Sequence, residues 1–247
     1  MYLDRLFKLM AERQASDLFI SCGAPLSMKI NGVVAPLTDQ PMDIDTVRRV
    51  AYELMTEDQA HVFETEFEMN LSHLDPEVGN FRINIFRQRG TISLVIRYVR
   101  SDIPSFEQLK LPPVLLELVM EKRGLVLIAG ATGSGKSTTL AAMIDHRNME
   151  RTGHILTIED PIEYLFRHKK SIVNQRELNV DTLTYTKALA NALREAPDLI
   201  MIGEIRDRET MQHALLHTLT GHLCLATLHA NNSYHALSRI INMFPYD

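Results

Sequence analysis

The chain has 247 residues, a formal net charge of −5, 45% hydrophobic and 23% charged residues. That length supports a sizeable core in one large or two small domains, and the acidic balance, with no Trp, argues against nucleic acid as a partner and against a base-stacking surface. Cys22 and Cys224 stand outside any CxxC spacing, as in a reduced cytosolic protein; the amphipathic start Met1–Met10 is not a signal peptide, and no apolar run has the length of a membrane span.

The first hundred residues read as an α+β module. Leu3, Leu6, Phe7, Leu9 and Met10 recur at helical spacing within Tyr2–Gln14. Asp17–Ser21 and Ser27–Ile30 read as short strands, Asn31-Gly32 as a hairpin turn, and Val33-Val34 as the opening of the return strand. Asp43–Met55 and Glu57–Phe67 read as helices, followed by strands over Phe67–Ser72, Phe81–Arg87 and Thr91–Val99. Asp75-Pro76, Gly79-Asn80 and Arg89-Gly90 supply the turns of an antiparallel sheet. Residues 1–99 are therefore expected to form one domain. Residues 100–113, with Pro104, Pro112 and Pro113, read as a linker holding one short helical turn.

From 114 to 247 apolar strands alternate with helices. The strands are Leu125–Ala129, His154–Ile158, Leu199–Ile202 and Leu223–Leu228; the helices are Ser137–Glu150, Tyr185–Glu195, Arg208–Leu219 and Tyr234–Met243. Continuous apolar strands imply burial on both faces, hence a mainly parallel sheet between helix layers in an α/β domain.

Four segments of this second domain carry chemistry. Gly130-Ala131-Thr132-Gly133-Ser134-Gly135-Lys136-Ser137, with Thr138 next, fits the phosphate-binding loop G-x-x-x-x-G-K-[ST] and lies between a strand and a helix. Glycines let backbone N–H groups turn towards phosphate oxygens, the helix start adds its positive dipole end, Lys136 supplies a point charge, and the Ser137 hydroxyl suits Mg²⁺. ATP with Mg²⁺ is the expected ligand. Thr157–Glu163 places Glu159, Asp160 and Glu163 beyond a strand end, where one could activate water; the bland alternative is a solvated helix start capped by Asp160. Leu199–Glu204 is an apolar strand ending in an acid, a Walker B pattern with Glu204 as the residue that holds Mg²⁺ through water; the bland reading of Arg206 and Asp207 is a surface pair with each other. Gly221–Asn232 carries His222 and His229, whose odd separation places them on opposite strand faces, and His213 and His217 lie one helical turn apart without a further metal ligand.

These segments, in this order, resemble the secretion ATPase superfamily of type II secretion and type IV pilus machines. Thr157–Glu163 is similar to its Asp box, Gly203-Glu204 to its glutamate-bearing Walker B, and Gly221–His229 to its His box. Ala15–Ile20 and Phe81–Asn84 resemble the PilT/PilU retraction branch, while Phe19 and the Gly221–Asn232 run look closer to PilU. The resemblance implies a PAS-like N-terminal domain, a RecA-like P-loop ATPase domain and a homo-oligomer, a hexameric ring. A related retraction ATPase subunit would be a further partner. The ring would dock from the cytoplasm on an inner-membrane platform protein. It selects Glu163 over Glu159 as the base, adds His229 to the site, and assigns Arg82 and Arg97 to the γ-phosphate of a neighbouring subunit. A helical region that family members carry beyond Phe244–Asp247 is expected to be missing. The function implied is ATP-driven pilus retraction. The competing readings are an accessory ring subunit with little hydrolysis, a pilus-extension or type II secretion ATPase, and a RecA-like DNA motor.

Overall fold

Leu3, Leu6, Phe7 and Met10 all point into a core, as their spacing requires, from α1 (Tyr2–Glu12) of the computed structural model. The structure describes residues 2–75, 78–99 and 102–244. Pro76 of one expected turn, Arg100 and Ser101 at the start of the expected linker, and residues 245–247 lie outside these. The chain divides into two units, Met1–Ser101 and Asp102–Asp247.

In the first unit β1 (Asp17–Ser21), β2 (Pro25–Ile30), β3 (Val33–Pro41), β4 (Glu68–Asp75), β5 (Gly79–Gln88) and β6 (Thr91–Val99) form one sheet in the order β3-β2-β1-β6-β5-β4. Its pairings are antiparallel. Helices α2 (Ile44–Glu53) and α3 (Glu57–Glu66) intervene. Asn31 and Gly32 both adopt positive φ, the conformation a two-residue hairpin turn demands. Alternation fixes the faces: Phe81, Ile83 and Ile85 are buried with Phe7, Phe63, Leu94 and Ile96. Each such side chain contributes about 1.5–3 kcal/mol on burial.

The second unit begins with α4 (Phe106–Leu109) and α5 (Val114–Met120). It continues with β7 (Gly124–Ala129), α6 (Lys136–Glu150), β8 (Gly153–Glu159), β9 (Ser171–Glu177), α7 (Tyr185–Ala192), β10 (Leu199–Ile202), α8 (Arg208–Leu219), β11 (Leu223–Leu228) and α9 (Ser233–Asn242). The sheet runs β7-β11-β10-β8-β9 and every pairing is parallel. Alternate residues feed two cores. Leu223 and Leu225 pack with Leu140, Met143 and Ile144 of α6, whereas Cys224, Ala226 and Leu228 pack with residues of α7, α8 and α9. Parallel strands between helix layers put all strand carboxyl ends on one edge, where the loops after β7, β8, β10 and β11 meet.

Two elements are additional and two expectations are corrected. The edge strand β9 and the helix α5 were not anticipated: β9 carries Asn174, Gln175 and Arg176, and α5 follows directly on Pro112-Pro113. The helix expected over Tyr185–Glu195 closes at Ala192 into a 3₁₀ turn over Leu193–Glu195, since Ala196 turns left-handed (φ 50°) and Pro197 follows. No helix follows Pro161, so Asp160 is not a helix cap; it accepts from Arg206 Nη1 at 3.1 Å.

Candidate functional site

β7 ends at Ala129 and the chain turns through Gly130–Gly135 into α6. Gly130 lies close under Ser134: a Cβ there would meet Ser134 Oγ at 2.3 Å, so that hydroxyl would have to turn away. Gly133 and Gly135 adopt φ of 77° and 90°, accessible to glycine at little cost. Gly135 is the residue before α6 and offers no side-chain cap, which leaves the amides of the first turn facing outward with the positive end of the helix dipole. Ala131–Gly135 are exposed, while Lys136 is buried and its Nζ donates to Ala131 O at 2.9 Å. The loop thus folds back on its own lysine through a carbonyl, beside the start of α6, an arrangement suited to an anion.

A cleft of about 330 Å³ opens over this loop. Its walls come from Thr132, Gly133 and Gly135–Thr138, from Glu159–Pro161, Glu163, Tyr164 and Phe166, from Met201, Gly203 and Glu204, and from Thr227 and His229. All four chemistry-bearing segments therefore border one space.

Glu159 and Glu163 differ sharply. Glu159 is buried, accepts from Thr157 Oγ1 at 2.7 Å and from Gln175 Nε2 at 3.3 Å, and burial pushes its pKa up to about 7. Its Oε1 already accepts two hydrogen bonds from the protein, which leaves this carboxyl less open to an incoming water than an exposed one. Glu163 is exposed to the cleft, with only its backbone N–H directed at Glu159 Oε2, 3.5 Å away.

Gly203 lets the β10 end pass close to its neighbours: a Cβ would lie 3.1 Å from Glu159 Cα and from the Tyr185 hydroxyl oxygen. Glu204 follows, with Oε1 3.2 Å from His229 Nε2 and Oε2 accepting from Arg206 Nε at 2.8 Å. Arg206 also reaches Asp160, so Asp160, Arg206, Glu204 and His229 form one chain of polar contacts across three loops. Arg206 thus does not take up the bland pairing with Asp207, which accepts from Thr210 N at 2.8 Å and caps α8.

The remaining candidates lie elsewhere. His222 Nδ1 faces Thr220 Oγ1 and His217 O, and His217 is fully buried with Nε2 3.1 Å from Leu189 O. Arg82 and Arg97 belong to the first unit, as direct cross-strand partners on β5 and β6. Arg97 is 64% exposed, but its Nε donates to the buried Asp17 Oδ1 at 2.9 Å, and Ser16 Oγ donates to Asp17 Oδ2 at 2.9 Å. Asp17, Tyr164, Gln175 and Thr227 were not singled out from the sequence. Two of them had a signal: Tyr164 follows directly on Glu163, and Thr227 lies within the Gly221–Asn232 segment.

The family described as Type II/IV secretion system protein matches residues 1–245. The chain belongs to that family. It is 51% identical over 247 residues to the type IV pilus ATPase PilU of Pseudomonas aeruginosa, covering 100% of this chain and 65% of that protein. It is 41% identical over 245 residues to the type IV pilus retraction ATPase PilT of the same organism, covering 99% and 71%. The chain therefore spans about two thirds of the length of these two relatives. The crystal structure of the pilus retraction motor PilT with bound ADP superimposes with a TM-score of 0.92 at 45% identity, over 98% of this chain and 71% of that one. The crystal structure of the ATPase DotB of Legionella pneumophila gives a TM-score of 0.83 at 27% identity, over 100% and 70%.

Proposed function

We propose that this chain binds ATP with Mg²⁺ and hydrolyses it as a motor subunit of type IV pilus retraction. The observation that carries the reading is the convergence of the phosphate loop, Glu163, Glu204 and His229 on one cleft. Lys136 exchanges Ala131 O for the β- and γ-phosphates, and Gly130–Thr138 supply the cradle. Ser137 and Glu204 are hard oxygen donors on the same cleft, as Mg²⁺ requires, Glu204 acting through water. When bound, Mg²⁺ would neutralise charge on the transferring phosphoryl group.

Glu163 accepts the proton of a water that attacks the γ-phosphorus. The bond to the β–γ bridging oxygen breaks, and ADP and phosphate leave. His229 and Arg206 hold the Glu204 carboxylate in place. Arg82 and Arg97 reach the γ-phosphate of a neighbouring subunit. The proposal carries with it a homo-oligomer, a hexameric ring. It also divides the chain into a PAS-like domain over 1–99, a linker over 100–113 and a RecA-like ATPase domain over 114–247. The ring docks from the cytoplasm on an inner-membrane platform protein, alongside a related retraction ATPase. Among the described residues no helix is long and apolar enough to cross a membrane, in keeping with attachment through such a partner. The relatives' names support this reading over an extension ATPase or a DNA motor.

Deleting the gene in its piliated host tests the reading. Twitching should be lost or weakened and surface pili should accumulate. Normal retraction in the deletion strain would contradict it.

A further inference from the structure

Tyr164 joins two parts of the cleft that must keep register during hydrolysis. Its hydroxyl lies 3.0 Å from Thr138 Oγ1, in the first turn of α6 and next to Ser137. Its backbone is fixed from the opposite side: Gln175 Nε2 donates to Tyr164 O at 2.8 Å, and Gln175 Oε1 accepts from Phe166 N at 2.8 Å. Tyr164 thus spans from β9 to α6, with Glu163 immediately before it.

The segment carrying Glu163 is anchored at its two ends, Asp160 by Arg206, and Arg167 and Lys169 by Asn148 of α6, and is held more sparsely between them. Residues 160–170 contain no helix or strand. The amide of Glu163 makes only the 3.5 Å approach to Glu159 Oε2, and that of Ile162 donates to Glu177 Oε2 at 3.2 Å. Neither contact reaches the phosphate loop. The Tyr164–Thr138 pair does.

Hydroxyl chemistry gives the pair a direction. Either oxygen can donate in an isolated pair, but Thr138 stands at the helix start where a phosphate would sit. If Tyr164 donates to Thr138 Oγ1, the Thr138 proton is left for a phosphate oxygen. The two bonds then polarise one another.

We propose that Tyr164 is a positioning residue for hydrolysis: its hydroxyl donates to Thr138, leaves the Thr138 proton to the nucleotide, and thereby sets Glu163 against the γ-phosphate. The inference rests on the ATPase reading above and adds to it a residue whose hydroxyl acts through Thr138. Loss of this bond should lower kcat while leaving nucleotide affinity and folding nearly intact.

The experiment compares Tyr164→Phe, Thr138→Val and the double variant by steady-state phosphate release, fluorescent ADP binding and thermal midpoint. Tyr164→Phe should lose about fivefold in kcat, the worth of one ordinary hydrogen bond, with ADP affinity within about twofold of the parent. Thr138→Val should lose both affinity and kcat. The double variant should match Thr138→Val in kcat, because the pair is then already broken. Unchanged kcat in Tyr164→Phe, losses that multiply in the double variant, or a thermal midpoint falling in step with kcat would each overturn the role of Tyr164. Failure of the parent protein to hydrolyse ATP would overturn the ATPase reading and this role with it. An active parent with an insensitive Tyr164→Phe variant overturns the role alone.

Discussion

Glu204 Oε1 lies 3.2 Å from His229 Nε2, which ties the end of β10 to the end of β11 directly over the cleft. The other oxygen of the same carboxylate is held by Arg206. Glu204 is therefore fixed in orientation from two sides, as a group that orders water around Mg²⁺ must be. Glu204→Gln keeps the shape and removes the charge. The expected result is nucleotide affinity without Mg²⁺ close to the parent and Mg²⁺-supported turnover reduced by about tenfold or more. Equal turnover in parent and variant, read by phosphate release, would place the Mg²⁺ shell elsewhere.

The contrast between Glu159 and Glu163 separates two carboxyls of one short segment. Glu163→Gln should retain ATP binding and lose about a hundredfold or more in turnover, the share of a general base. Glu159→Gln should lose far less, since its carboxyl is bonded to Thr157 and Gln175. Single-turnover hydrolysis by both variants checks the order, and a reversed order would make Glu159 the base.

Glu159 also sets a pH dependence of stability. Burial raises its pKa from 4.5 to about 7 in the folded chain. Between those values the folded state binds the proton more tightly than the unfolded one, so this residue's contribution to stability declines as pH rises from about 4.5 to about 7 and is flat beyond. Glu159→Gln, neutral throughout, should flatten that part of the curve and raise the thermal midpoint at pH 8 relative to the parent. Parallel curves from pH 5 to pH 8 would contradict the buried acid.

Arg82 and Arg97 sit directly opposite one another, an arrangement of like charges that ordinarily destabilises a sheet. Asp17 offsets part of that cost and, by taking Nε of Arg97, leaves the outer nitrogens of the fork free to project. If these arginines act on a neighbour's γ-phosphate, Lys136→Ala and Arg82→Ala/Arg97→Ala subunits should each be inactive alone. Mixed, they should recover hydrolysis. Asp17→Asn should lower turnover without lowering ADP affinity. A mixture as inactive as its parents, with mixed assemblies confirmed by native mass spectrometry, would remove the arginines from the reaction.

Strong local rules made much of this molecule readable. Strands β7, β8, β10 and β11 stand out because both their faces are buried, which writes a continuous apolar run. The phosphate loop stands out because its glycines answer backbone demands that few residues meet. β9 escaped notice since, as an edge strand, it carries the polar run Asn174–Arg176, and with it went Gln175, which organises the Glu163 segment from below. Asp17 was legible only as the start of a strand; its partner lies eighty positions along the chain, a contact that needs the β1–β6 pairing. The same holds for Arg206, whose choice of Glu204 and Asp160 over adjacent Asp207 depends on Asp207 turning away to cap α8.

The central claim is that this cleft hydrolyses ATP through Lys136 and its loop. Steady-state phosphate release from Mg²⁺-ATP, measured side by side for the parent chain and Lys136→Ala, tests it most directly. The expected result is measurable turnover in the parent and a loss of about a hundredfold or more in the variant, as when a principal charge on the transferring group is removed. Turnover in Lys136→Ala equal to the parent, or none in the parent with ADP bound tightly, would contradict it.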